Sequence, residues 1–433
     1  MIGLIMFVVC LGLLLFGFPV AFTFGGAAVV FGLIAEGPSM FNLMPHRIWA
    51  VMNNTILMAI PLFIFMGIVL QKSKLAEKLL ESMGFLFGEM RGGIAISTIL
   101  VGSLLAASTG VVGASVVAMG VISLPVMLKY NYDKRLATGA ICAAGTLGQI
   151  IPPSIVLIIL GDVFQVPVGD LFLKAFWPGL SLVLLYVIYI AVITYFNKDL
   201  APPIRLEGAE HGTKAQQIGR ALKAIIPPLI LITVVLGSIL FGVATPTESS
   251  AVGGVGAIIL AAMYRQLSVK MVWTSALETV KITSMVFAIL VGATAFSMVF
   301  TYTGGDYLVE DFMMALPGEK WGFLITSMLA IMALGFFIDF VEISYIIVPI
   351  LAPIAANLGI NPVWYAILVA MNLQTSFLTP PFGFSLFYLK GVSPPGVKTT
   401  DIYKGVIPFI AIQVFVLVIL IVYPGFFGIS STY

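Results

Sequence analysis

Two short stretches hold the residues whose types and spacing bear on chemistry: "TLGQIIPPS" at 146–154 and "NLQTSFLTPPFG" at 372–383. Each places adjacent prolines inside an otherwise apolar run. Proline lacks a backbone N–H and its ring collides with the preceding turn, at ~3 kcal/mol in a helix interior. No water in hydrocarbon satisfies the carbonyls so freed, and such a break survives only where the backbone faces protein or an aqueous cavity. Unwinding from Gly148 to Pro153 and from Ser376 to Phe382 would aim carbonyls inward, and a hard cation such as Na⁺ is satisfied by neutral oxygens without a carboxylate. The hydroxyls of Ser108, Thr109, Thr375, Ser376 and Thr379 are candidates to complete such cages. Helix N-termini beside the breaks offer N–H groups to an anion. The candidate anion positions are Gly110, Thr146 and Pro152 in the first half, and Asn372, Thr375, Pro380, Pro381 and Gly383 in the second. One Pro-Pro pair alone would be read as a packing kink; two related pairs argue for a site.

Asp339 and Glu342 stand at i, i+3 in a second apolar region, where an ionisable residue is functional by default. Either is suited to assist a cation or carry a proton; Asp339 is also a candidate for the substrate site, and Glu342, near a helix turn, is alternatively placed to reach outer water. Glu248 in "ATPTESSAVGG" follows a capping-box pattern and is expected to cap a helix. There is no HExxH, no GxSxG, no repeated acidic motif and no histidine in an apolar run; His46 and His211 are isolated in polar stretches. An enzyme is therefore not expected. Two cysteines, Cys10 and Cys142, give neither a disulfide framework nor metal spacing.

The elements that must position these residues follow from composition. Of 433 residues, 60% are hydrophobic and 9% charged, a balance that marks an integral membrane protein. Apolar runs of ~20 residues cross a ~30 Å core. Eight full spans are expected near 2–16, 19–35, 52–70, 172–197, 225–243, 247–263, 283–302 and 405–427; the first is read as a span, not a cleaved signal, because no basic n-region precedes it. Lys and Arg collect at 72–91, 129–135, 198–223, 265–281 and 390–404. Placing those stretches in the cytoplasm puts 18 of the 21 basic residues inside, as the positive-inside rule requires. Both termini then lie outside. Residues 197–224 form a cytoplasmic connector, a linker followed by an amphipathic helix.

Only about 36 residues separate Arg91 from Lys129, fewer than a pair of full spans needs. The expectation is a re-entrant hairpin turning near Ser108 to Gly110, and a second one turning near 334–340. Each hairpin precedes one broken segment. The two Pro-Pro pairs are offset by 228 residues, and Pro125 and Pro349 upstream by 224. Four spans separate the broken segments, so they run in opposite directions. The fold expected is an all-α polytopic membrane protein, an inverted-repeat transporter with two re-entrant hairpins and two broken helices meeting at mid-depth.

With "GTLGQIIPPSIVLIIL", "VPVGDLFLKAFWPGL", "FGVATPTESSAVG", "DFVEISYIIVPILAPIAANLGINPVW" and "NLQTSFLTPPFGFSLFYLKGV" spread over 93–425, the chain resembles the large membrane subunit of tripartite ATP-independent periplasmic (TRAP) transporters, the DctM-like family. The resemblance implies Na⁺-driven uptake of a small organic acid across the bacterial inner membrane by an elevator mechanism. Sodium ions, two or more, would be the coupling ions, with no organic cofactor. The implied partners are a small four-helix membrane (Q) subunit, expected as a separate chain, and a periplasmic substrate-binding protein (P). One Na⁺ would sit at Ser108 and Thr109 with carbonyls of Gly148, Ile151 and Pro153, and a second at Gly335 with Ser376, Thr379 and Phe382. The implied units are scaffold spans at 1–92, a first transport half at 93–171, scaffold spans at 172–302, a second transport half at 303–390 and a last span at 391–433. The first tip reads "ASTGVVGAS" where members often show a Gly-Ser-Ser type, and Ser376 stands where glycine is common. The stretch "TPPFGFSLFYLKG" resembles a branch linked to small carboxylates, 2-oxo acids and sulfonates. A competing reading is a stand-alone anion symporter that needs no binding protein.

Overall fold

The computed structural model describes residues 1–203 and 214–432; His211 and part of the connector lie outside the described residues. Among the described residues the chain is helical and has no strand. In order the helices are α1 (Ile2–Leu15), α2 (Val20–Glu36), α3 (Met44–Met52), α4 (Ala59–Lys72), α5 (Leu75–Phe87), α6 (Gly93–Thr109), α7 (Val112–Lys129), α8 (Lys134–Thr146), α9 (Ile155–Val163) and α10 (Val168–Phe196). After the connector come α11 (Lys214–Leu240), α12 (Pro246–Met263), α13 (Val269–Tyr302), α14 (Gly305–Met314), α15 (Lys320–Leu334), α16 (Phe340–Glu342), α17 (Val348–Asn357), α18 (Pro362–Leu378), α19 (Phe384–Val392) and α20 (Thr399–Val422).

Seven helices among the described residues are long and apolar enough to cross a membrane. Five of them, α10 to α13 and α20, answer to expected spans; α2 has the expected 17 residues, whereas α1 and α4, at 14 each, are shorter than expected. The other two are second arms of the helix pairs: α7 and the continuous run 340–357, each of 18 residues. The interval from Arg91 to Lys129 holds α6 and α7, a helix pair whose turn at Gly110 and Val111 falls beside the expected one near Ser108 to Gly110. Gly110 (φ +62°) and the extended Val111 are all the turn needs, so α6 and α7 keep 17 and 18 residues, about 26 Å each at 1.5 Å per residue. Only glycine enters the left-handed region without cost, and it ends α6 in one step.

Local chemistry explains the other boundaries. Thr245 and Glu248 form the expected capping box at α12, with Thr245 N–H donating to Glu248 Oε2 (2.8 Å) and Glu248 N–H to Thr245 Oγ1 (3.2 Å). Asp133 caps α8 and Asn361 caps α18 through paired backbone N–H donors. The basic end of the connector is not a separate amphipathic helix: α11 runs unbroken from Lys214, through Pro227 and Pro228, to Leu240. Helices α2 and α13 approach closely because Gly25 and Gly292 face each other, and a Cβ on Gly292 would sit 2.6 Å from the Ala21 carbonyl. Phe24 and Phe296 then meet edge to face at 5.0 Å. Lys72 at the end of α4 pairs with Glu278 of α13 (2.8 Å).

Candidate functional site

Both broken segments exist as chain breaks. In the first, α8 ends at Thr146, a single 3₁₀ turn covers Leu147–Gln149, and residues 150–154 are irregular before α9. In the second, α18 continues to Leu378 and only 379–383 are irregular. Unwinding from Ser376 was expected; instead Ser376 stays helical, donating its hydroxyl to the Leu373 carbonyl (2.7 Å), and the prolines interrupt the helix only from Thr379. Pro152-Pro153 and Pro380-Pro381 are both cis.

Each break is spanned by a serine that the sequence reading passed over. Ser154 donates to the Gln149 carbonyl (2.7 Å) and accepts from Leu157 N–H (3.4 Å), so one hydroxyl both closes the break and caps α9. Ser385 donates to the Phe377 carbonyl across the second break (2.7 Å). Tyr403 of α20 donates to the Pro381 carbonyl (2.8 Å), and Gly383 N–H to that of Thr379 (3.0 Å). The available signal was the serine one or four residues after each Pro-Pro pair, but its partner is set by the path of the break.

The candidate hydroxyls share a pattern. Ser108 donates to Leu105 O (2.7 Å), Thr146 to Ala143 O (3.0 Å), Thr375 to Met371 O (2.9 Å) and Thr379 to Thr375 O (2.7 Å). Thr109 and Ser115 share one hydrogen bond at 2.7 Å across the first turn. A hydroxyl that spends its proton on its own helix keeps oxygen lone pairs for another donor or a cation. Asn372 is held by Nδ2–H donation to the Met328 carbonyl of α15 (2.6 Å).

Packing brings each break against its own helix pair. A Cβ on Gly148 would lie 2.5 Å from the Ala106 carbonyl of α6, and one on Gly110 would meet the Ile155 side chain at 2.9 Å. Ile151 rests on Gly179 of α10, where a Cβ would meet its Cγ1 at 3.0 Å. In the second half, Gly335 leaves room for Ser376, and Phe337 packs on Phe382 with ring centres 5.0 Å apart. The halves also touch each other. Helix α18 contacts the 3₁₀ turn 147–149, Cys142 Sγ lies 3.7 Å from the Ser385 carbonyl, and the Tyr388 ring of α19 lies against Gly113 of α7.

The acidic pair divides. Asp339 is the N-cap of α16, its Oδ1 accepting Phe340 N–H (2.7 Å), and is partly exposed. Glu342 does not reach outer water: it is 3% exposed, with Oε2 lacking a protein partner. It is followed by a π-helical turn, Ile343–Ile347, that the sequence did not announce; such turns concentrate at functional sites. His46 lies exposed on α3, and among the described residues no group of three or more His, Cys, Asp or Glu is arranged for a metal.

A polytopic helical membrane protein with paired helix breaks is the architecture of a membrane permease, and comparison with known proteins agrees. Residues 7–426 match the tripartite ATP-independent periplasmic transporter, DctM component, and the chain belongs to that family. It is 29% identical over 394 residues to the C4-dicarboxylate TRAP transporter large permease protein DctM of Pseudomonas aeruginosa, covering 91% of this chain and 90% of that one. It is also 29% identical over 407 residues to the isethionate TRAP transporter permease protein DctMQ of Oleidesulfovibrio alaskensis, covering 94% of this chain and 62% of that protein. Among solved structures, the Alcanivorax borkumensis YdaH transporter aligns with a TM-score of 0.63 over 98% of both chains at 13% identity, a likeness of fold.

Proposed function

We propose that the chain is the large permease subunit for Na⁺-coupled uptake of a small organic acid across the bacterial inner membrane. It works with a small four-helix membrane subunit and a periplasmic substrate-binding protein. The relatives' C4-dicarboxylate and isethionate support a small carboxylate or sulfonate as the solute. The single observation that carries this reading is the pairing of two broken segments, each packed on its own helix pair and each touching the other half. Under this reading the pairs α6–α7 and α15–α17 are re-entrant hairpins of an inverted repeat. With α8–α9 and α18–α19 they form a mobile unit that slides past the remaining spans as an elevator.

Sodium would be held by neutral oxygens: Ser108 and Thr109 with carbonyls of Gly148, Ile151 and Pro153, and Ser376 and Thr379 with carbonyls of Gly335 and Phe382. Hydroxyls that donate into their own helices present lone pairs, as an oxygen cage requires. The anion would lie between the breaks, near Gly110, Thr146, Pro152, Asp339, Asn372, Thr375, Pro380, Pro381 and Gly383. Uptake into proteoliposomes holding all three components, with Na⁺ and pH gradients imposed separately, tests the reading. A Na⁺ gradient is expected to drive uptake and a pH gradient alone is not; full uptake on a pH gradient would refute the sodium assignment. Uptake by this chain alone would favour a stand-alone symporter.

A further inference from the structure

The geometry points to a second solute site, in a cavity of about 320 Å³ at the opposite end of α9 from the first break, that takes a small carboxylate bearing a hydroxyl or ammonium group. Its walls come from four regions: Arg47 and Ala50 on α3 and Asn54 after it, Thr294 and Ser297 on α13, Asp162 on α9, and Tyr345 in the π-helical turn. The volume lies within the range of small-molecule pockets, about 300–1,000 Å³. The site does not include the two breaks and does not depend on the sodium assignment.

Three observations specify the ligand. First, the cavity carries one cation and one carboxylate that do not pair with each other, since Lys72–Glu278 is the one ion pair among the described residues. Second, Asp162 is fixed in place: its Oδ1 accepts from Asn54 Nδ2–H at 2.5 Å, and Asn54 Oδ1 in turn accepts from Ile56 N–H at 2.9 Å. The second carboxylate oxygen is left for a donor. Third, Tyr345, 8% exposed, lines the cavity, while its hydroxyl is closed off from it, so the ring and not the oxygen forms the wall that meets a ligand.

A ligand carboxylate accepts from the Arg47 guanidinium, while its own hydroxyl or ammonium donates to Asp162. A simple carboxylate satisfies only the first half of this arrangement. Because a site built to hydrogen-bond a substrate group rejects the analogue that lacks it, lactate should be preferred to propionate, which differs from it only by the hydroxyl.

The test places a reporter in the cavity. Ala50→Cys supplies an accessible thiol, whereas native Cys10 and Cys142 are fully buried. The full chain in lipid nanodiscs is labelled with a maleimide while millimolar lactate or propionate is titrated. Lactate is expected to slow labelling of Ala50→Cys at least fivefold at saturation, and propionate less than twofold. Adding Arg47→Gln should remove the protection, and adding Asp162→Ala should reduce lactate to the level of propionate. Thr379→Val, at the second break, should leave it intact. Equal labelling with and without lactate overturns the proposal, as does protection that survives Arg47→Gln. Protection lost in Thr379→Val would assign the effect to the region between the breaks and also overturn it. Elution as a monodisperse species in each case confirms that the variants are folded.

Discussion

The two broken segments share a plan and differ in how far they are closed. In the first, residues 152–160 are all buried, the Ser108 and Thr109 tip is 4% and 5% exposed, and Gly148 lies flush against a carbonyl of α6. In the second, Pro381 is exposed, Phe382 is 44% exposed, and the turn between α15 and α16 takes five residues instead of two. The first half is a packed cradle; the second is an open one, with aromatic rings of Phe337 and Phe382 in place of buried backbone. The difference teaches where rigidity and adaptability lie. Close packing leaves the first half little room to adjust, whereas the exposed rings of the second can shift at lower cost.

The largest expected effect breaks that comparison at Gly148. Its added Cβ would meet the Ala106 carbonyl, a backbone atom that cannot rotate away. Overpacking of this kind costs about 1–3 kcal/mol. Gly148→Ala is therefore expected to reduce uptake at least tenfold and lower thermal stability. In Gly335→Ala the new methyl meets the Ser376 hydroxyl, which can change rotamer, and the Ser376 Cβ at 2.8 Å, which cannot; with no backbone atom as close as the carbonyl at 2.5 Å from Gly148, the loss should be smaller. Parallel uptake and thermal-shift measurements decide it; equal losses would mean that the halves are equally closed.

Next in size is Thr379→Val. The replacement keeps the shape and removes the oxygen whose proton is already donated to Thr375. The Na⁺ concentration for half-maximal uptake is expected to rise about tenfold, since a hydrogen-bonding or coordinating group is typically worth 1–1.5 kcal/mol and 1.4 kcal/mol is a factor of ten. An unchanged Na⁺ response would remove this side chain from the second cage.

How much of this was legible in the sequence depends on the range of the interaction. Glycine at 110, the capping box at Thr245 and the Pro-Pro pairs act within a few residues, and their consequences followed from residue type alone. Expectations failed where tertiary packing decides. Helix α18 runs past its expected end, and its residues from Trp364 to Leu378 are all buried against neighbouring helices. The π-helical turn at Ile343–Ile347 lies in a run, "ISYII", with no local marker; Glu342 beside it was singled out, but its burial depends on neighbours far along the chain.

The smallest expected contrast, the difference of roughly 1 kcal/mol between two alanine variants, sharpens the comparison through the serines that cross each break. Ser154→Ala removes two hydrogen bonds, leaving the Gln149 carbonyl and the Leu157 N–H without their partner; Ser385→Ala removes one, to the Phe377 carbonyl. At ~1 kcal/mol per bond, and with loss of an N-cap worth ~1 kcal/mol, Ser154→Ala should destabilise by roughly 2 kcal/mol and Ser385→Ala by roughly 1 kcal/mol. Both serines are fully buried, so solvent cannot take over for either one, and the contrast isolates the extra cap. Cysteine or threonine at 154 would confuse volume with bonding, whereas alanine at both positions removes the same atom. Thermal unfolding of the two variants in the same detergent, read against wild type, should rank Ser154→Ala as the less stable. The reverse order would show that the open half, not the closed one, depends more on its bridging hydroxyl.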